Sequence, residues 1–166
     1  MSVEPASSPR ASVLAAEYER GAERLRDAIA VAAEPDADLD ERVEAALRTA
    51  LALFAGDPAL AHLLVVRPFA GDAAALACYE RWQRRAAGAL RIAAAEDAGA
   101  YEHPPFFEPA LVSDLCAQVA RQLGADPARL EDLAPGLLEL VHACYFGPER
   151  GRSPRRRVTM PFLDSI

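Results

Sequence analysis

The chain has 166 residues, enough for one domain with a sizeable core and few for two. Its net charge of −7 argues against a phosphate-binding surface spread over the whole domain, because such surfaces need clustered Lys and Arg. Apolar residues make up 52% of the sequence. Even so, no uncharged run approaches the ~20 residues of a membrane span and the N-terminus lacks a basic-then-apolar leader, so a cytoplasmic protein is predicted.

Charge is spread unevenly. Residues 1–149 hold 13 Arg and 24 acids, a net of −11, whereas residues 150–166 hold 5 Arg against Asp164 alone, a net of +4. Cys78, Cys116 and Cys144 are odd in number, far apart and embedded in apolar helical pattern. That excludes a disulfide framework or a zinc knuckle and predicts core residues.

Residues 1–8 carry no period and are expected to be disordered. From about 11 to 33 the helical period sets in, with Leu14, Tyr18, Leu25, Ile29 and Ala32 on one face, until Glu34-Pro35 stops it. Asp38 with Glu41 three residues later predicts a capping box, and the helix it opens has Val43, Leu47, Ala50, Leu51 and Phe54 inward and Gly56 at its end. Asp57-Pro58 pairs an N-cap acceptor with proline at the first helical position and opens a short helix to Val66, broken by Arg67-Pro68. Asp72 caps a longer one, to about Glu96, with Leu76, Tyr79, Trp82, Ala86, Leu90 and Ala93 inward and Gly88 weakening its middle.

Residues 98–108 read as a loop with an unusual aromatic group, Tyr101, Phe106 and Phe107. Pro109 starts a fifth helix with Val112, Leu115, Cys116, Val119 and Leu123 inward, ended by Gly124. Asp126-Pro127 repeats the start signal for a sixth helix, kinked or restarted at Pro135-Gly136, whose residues Leu137 to Phe146 are apolar except for Glu139 and His142. Gly147-Pro148 ends it, and the arginine-rich residues 148–166 are expected to form a mobile tail. Nothing alternates like a half-buried strand, so the fold class is all-α, about six helices over residues 9–147.

Catalytic chemistry is hard to assemble from these residues, and no enzyme and no cofactor are expected. Glu139 and His142 share a helical face at the Glu-x-x-His spacing of di-iron bundles, but the second copy that such a site needs is absent, so a plain polar edge is expected. His62 and His103 have no partner at metal spacing, and neither a Gly-x-Ser-x-Gly elbow nor a phosphate-cradling glycine loop occurs. A hydrophobic ligand site is better supplied. Phe54, Phe69, Tyr79, Trp82 and Cys116 bring large or polarisable side chains, with Leu63 and Val66 beside them and Arg67 to meet an anion. Alanines on the same helix faces make a void among the rings an expectation, against the alternative that the rings simply fill the core. Arg150, Arg152, Arg155, Arg156 and Arg157 around Ser153-Pro154 are either a solvated tail or a contact for phosphate or an acidic surface.

The order of helices and three local stretches resemble the C-terminal effector domain of TetR-type transcriptional regulators. PRASVLAAEYER at Pro9 to Arg20 is similar to the segment leaving that family's DNA-binding head. DERV at Asp40 to Val43 and GDPALAHLL at Gly56 to Leu64 are similar to parts of its fifth and sixth helices. The resemblance covers residues 9–147 and implies a domain that senses a small, mostly apolar effector and dimerises through its last two helices, here about 109–123 and 128–146. Val112, Leu115, Val119, Leu137, Val141 and Cys144 are the expected interface, a reading strengthened by a final helix too apolar for one copy to cover. DNA binding does not carry over: the family's helix-turn-helix would precede residue 9, and nothing here matches its recognition helix. The rival expectation is a stand-alone helical interaction domain that binds no ligand.

Overall fold

The computed structural model describes residues 9–34, 36–66 and 73–147, with side chains from residue 13. Among them every regular element is helical: α1 (Pro9–Ala32), α2 (Leu39–Gly56), α3 (Pro58–Ala61), α4 (Ala73–Glu96), α5 (Phe107–Ala125) and α6 (Ala134–Phe146). A π-helical turn, His62–Val66, extends α3, and two 3₁₀ turns, Pro127–Arg129 and Glu131–Leu133, lead into α6. The fold is an all-α bundle. The expectations placed on residues 1–8, on Arg67, Phe69 and the Asp72 cap, and on the tail from 148 fall outside the described residues.

Helix starts follow the local chemistry of the chain. Asp38 Oδ1 accepts the Glu41 N–H at 2.9 Å while Glu41 Oε2 accepts the Asp38 N–H at 3.3 Å, closing the capping box on α2. Asp57 Oδ1 accepts the Leu60 N–H at 3.1 Å ahead of Pro58, and Arg24 Nη1 donates to its other oxygen at 2.6 Å. The Leu60 N–H and then Arg24 hold the Asp57 carboxyl below the usual range. Asp126 caps in the same way, accepting from Ala128 at 3.1 Å, but only a 3₁₀ turn follows.

That last difference corrects the expected helix over 128–146. Pro135 lacks an N–H and its ring would collide with the carbonyl of Glu131, so an α-helix begun at 127 cannot pass through it. The chain covers the gap with two short turns, and α6 begins at Ala134 with Pro135 in its first turn, where the missing donor costs nothing. Helix α5 starts two residues before Pro109, because Phe107 and Ala110 donate back to the carbonyls of Pro104 and Phe106 at 3.0 and 3.2 Å. Leu76, expected inward, is 37% exposed, and Ala32 lies outside.

Helix α2 is the centre of the bundle, touching α1, α3, α4, α6 and both 3₁₀ turns. Leu51 and Phe54 face a main core shared with Tyr18, Leu25, Leu60, Leu64, Tyr79, Val119, Leu130 and Leu137. Near its other end Leu39 joins Leu111, Val141 and Tyr145 in a second core, and Leu47 packs against both. Helix α1 comes so close to α3 that a Cβ on Gly21 would lie 2.8 Å from Leu60 Cδ1 and 3.3 Å from Leu64 Cδ2. Glycine here serves close approach, with no positive φ involved.

The same packing places most of the residues expected at a dimer interface inside one copy. Val112, Val119, Leu137 and Val141 are buried inside a single copy, Leu115 is packed against the main and second cores, and Cys144 against the second. Helix α6 packs chiefly on α2, and Leu111 and Leu115 of α5 share the second core with it, while Leu138, Leu140, Ala143, Cys144 and Phe146 stay half-buried. A charged residue at Val119 or Val141 would therefore break the core itself.

Gly21→Val is expected to lower stability by about 2 kcal/mol, since two extra methyls must displace the buried Leu60 and Leu64. Urea unfolding followed by circular dichroism checks this; an unchanged midpoint would mean that α1 and α3 are not in close contact.

Candidate functional site

The residues expected to line an effector pocket do not form one equivalent set. Phe54 and Tyr79 sit in the main core, Trp82 packs half-buried beside Tyr79 with ring centroids 6.3 Å apart, and Cys116 packs with Ala87, Val112 and Trp82. Leu63 is half-buried and Val66 is 37% exposed. Two polar tips within this group, those of Tyr79 and Cys116, are already engaged. Gln83 Nε2 donates to the Tyr79 hydroxyl at 2.7 Å, and burial pushes the Cys116 thiol up to about 11, so it stays a neutral, unreactive thiol at pH 7. Tyr18 likewise spends its hydroxyl on the Leu64 carbonyl, at 3.3 Å.

The other polar candidates separate. His62 is exposed, and Glu139 is exposed while its helical neighbour His142 is half-buried, so the pair shares no pocket. His142 instead turns to α2, with Nδ1 3.1 Å from both carboxylate oxygens of Asp40. Its Nε2 is buried without a hydrogen-bond partner. Among the described residues no group of three or more His, Cys, Asp or Glu side chains is placed to hold a metal ion.

A different site appears at the end of the bundle where α4, the 97–106 loop, the start of α5 and the end of α6 meet. A cleft of about 540 Å³ lies there, walled by Arg91, Ala94, Ala98, Tyr101, His103 and Glu108, with Tyr145 also lining it. Glu108 is the one buried charged residue among the described residues, 3% exposed. Arg91 answers it: Nε donates to Glu108 Oε2 at 3.0 Å, and Nη2 donates to the same oxygen and to the Pro105 carbonyl at 2.5 Å. The pair ties α4 to the first turn of α5 across the loop.

Aromatic contacts fix the loop onto α6. His103 stacks on Phe107 with centroids 3.7 Å apart, and Tyr145 meets both rings edge-on. His103 Nε2 lies 3.0 Å from the Cys144 carbonyl, which can only accept, so Nε2 carries the proton and Nδ1 is left as an acceptor in the neutral ring. The Tyr101 N–H donates to the Tyr145 carbonyl at 2.7 Å. Tyr145 itself is 1% exposed, yet its hydroxyl has no partner at hydrogen-bond geometry. Burial, and next the Glu108 charge beside it, raise its pKa, so the hydroxyl keeps its proton.

The sequence held a usable sign of this site. Glu108, Leu111 and Leu115 follow the i, i+3, i+7 spacing of an inward face, so an acid on that face needed a partner. Nothing local named Arg91, 17 residues earlier.

Replacing Arg91 with Met is expected to cost about 2 kcal/mol, at the low end for a broken buried pair because the guanidinium is itself 44% exposed. Adding Glu108→Gln should recover at least half of that loss, since a neutral amide tolerates the site. Equal losses in single and double variants, measured by denaturant titration, would mean that the pair is not coupled. Comparison with known proteins adds no neighbour: no family model matches the chain, no curated protein matches it and no solved structure matches it.

Proposed function

We propose that this chain is a ligand-sensing helical domain, similar to the effector domain of TetR-type regulators, and that a small organic molecule binds in the cleft between α4, the 97–106 loop and α6. The observation that carries the reading is the 540 Å³ cleft itself, walled by aromatic rings and alanines and floored by the buried Glu108, beside which the Tyr145 hydroxyl lies. The cleft is of the size that takes small molecules, and its walls combine rings with a few convergent polar groups. It also spans three elements, so a ligand there would tie the loop to α4 and α6 together, which is how occupancy could be transmitted.

The helix order over residues 9–147, the Asp38 capping box and the Asp57-Pro58 start all support the TetR-type reading. The homodimer that goes with it would have to form on the outer side of α5, where Ser113, Ala117 and Arg121 are exposed. Ala117→Arg should then lower the mass seen by light scattering without loss of helicity; an unchanged mass would remove that face.

Ligand binding raises the melting temperature in step with ligand concentration over Kd, by about 2.7 kcal/mol of stability at a hundredfold excess. A library of small organic molecules screened by thermal shift should give hits that Ala98→Trp abolishes, because Ala98 is exposed and lines the cleft that the indole would fill. Hits indifferent to Ala98→Trp but lost in Trp82→Ala would move the site to the Tyr79–Trp82 region. An absence of hits would favour the interaction-domain alternative.

A further inference from the structure

We propose that the chain's own C-terminal segment, residues 148–166, folds back across this cleft as a strap, with its arginines on the acidic surface around the mouth. Where the segment starts is the first reason. Gly147, the residue before it, lies against Tyr101: a Cβ there would sit 3.4 Å from the Tyr101 hydroxyl. Tyr101 is a wall of the cleft, and its N–H donates to the Tyr145 carbonyl at 2.7 Å. The segment therefore sets out from the mouth of the cleft, with 19 residues to run. At most about 3.6 Å is gained per residue, so Arg150 stays within about 11 Å of Gly147 and Arg152 within about 18 Å. The first two arginines cannot leave this end of the bundle.

Charge complementarity is the second. Residues 34–42 hold five acids and one Arg, and residues 91–108 four acids and one Arg. Packing brings both stretches to the end from which the segment departs. Arg42 pairs with Glu96 at 2.6 Å, Asp38 and Asp97 line a smaller cleft that shares Ala98 with the first, and His142 near the end of α6 faces Asp40. Seven of the eleven net negative charges of residues 1–149 therefore gather where a segment of +4 leaves the fold. A field of that sign holds the arginines close even though each exposed pair adds little, and the tether keeps them at high effective concentration.

The surface also suits a peptide. Tyr101 is 58% and Phe106 71% exposed, so ring faces stand open in the loop, and guanidinium groups stack on rings as readily as they pair with carboxylates. Arg91 Nη1, which neither Glu108 nor Pro105 takes up, and the Tyr101 hydroxyl are donors that peptide carbonyls match. Val158, Met160, Phe162 and Leu163 supply apolar groups for the alanine wall. The strap needs this surface and no ligand, so it stands apart from the ligand reading; any other molecule entering the cleft has to lift it first.

The test is limited trypsin digestion of the full chain, with cuts after Arg150 to Arg157 followed by mass spectrometry and a synthetic peptide of residues 148–166 as the unprotected reference. At low salt the chain is expected to be cut about fivefold or more slowly than the peptide, and the gap should close in about 0.5 M salt, where exposed charges are screened. The triple variant Glu34→Gln, Asp36→Asn, Glu102→Gln should speed the low-salt cuts several-fold. A control, Glu23→Gln, Glu80→Gln, Glu131→Gln, removes the same charge away from that end and should leave the rate unchanged; all six positions are exposed. Cutting as fast as the peptide at low salt would overturn the strap. Equal acceleration by both triple variants would overturn this surface as its seat, and protection indifferent to salt and to every variant would overturn the charge pairing. Protection that grows with protein concentration would put the segment on a second copy and overturn folding back within one chain.

Discussion

The structure depends on α2 being apolar toward two sides at once. An ordinary surface helix spends one stripe on the core and leaves the rest to water. Helix α2 instead gives Leu51 and Phe54 to one core and Leu39 to another, with Leu47 between. Because both sides must be covered, α1 and α3 have to pack on one and α6 on another, and that decides where the ends of α4 and α6 meet. The capping box at Asp38 matters for the same reason: it fixes the start of the helix on which the two cores are hung.

Burying so much of the chain forces its polar groups to find partners, and they do so in two ways. In the main core the needs are met internally, by Tyr18 on the Leu64 carbonyl and by Gln83 on Tyr79. At the end of the bundle they are met only in part. Glu108 has Arg91 and lies beside the Tyr145 hydroxyl, but His142 Nε2 remains unpaired. Unpaired buried groups are rare enough in native proteins that each needs a reason. His142 is satisfied on its Nδ1 side by Asp40, and nothing in the structure explains the bare Nε2.

The same geometry bears on how the domain would respond to the proposed ligand. The loop 97–106 is held by the Tyr101 N–H, the His103 stack and Arg91, all of them at the cleft. A molecule seated there would act on every anchor of the loop at once. A molecule in the Tyr79–Trp82 region would act on a core already closed, where any ordering gain is smaller.

What the sequence determined by itself was local: helix identities from the 3.6-residue period, and starts from Asp38, Asp57 and Pro58, whose side chains need only neighbours three residues away. Pro135 also marked its own break: of the kink or restart expected there, its clash one turn back gives the restart, with two 3₁₀ turns ahead of it. Tertiary structure decided which apolar faces were spent inside. Val112, Val119, Leu137 and Val141 read equally well as core or interface, because periodicity reports an apolar face without saying whether the chain's own helices or a second copy cover it. It also decided the site. Arg91 and Glu108, and Asp40 and His142, lie 17 and 102 residues apart, and only the packing of α4 on α5 and of α2 on α6 brings such pairs together. Long-range pairing of this kind leaves no local spacing to read, since what selects the partner is the cost of a buried charge once the helices have packed.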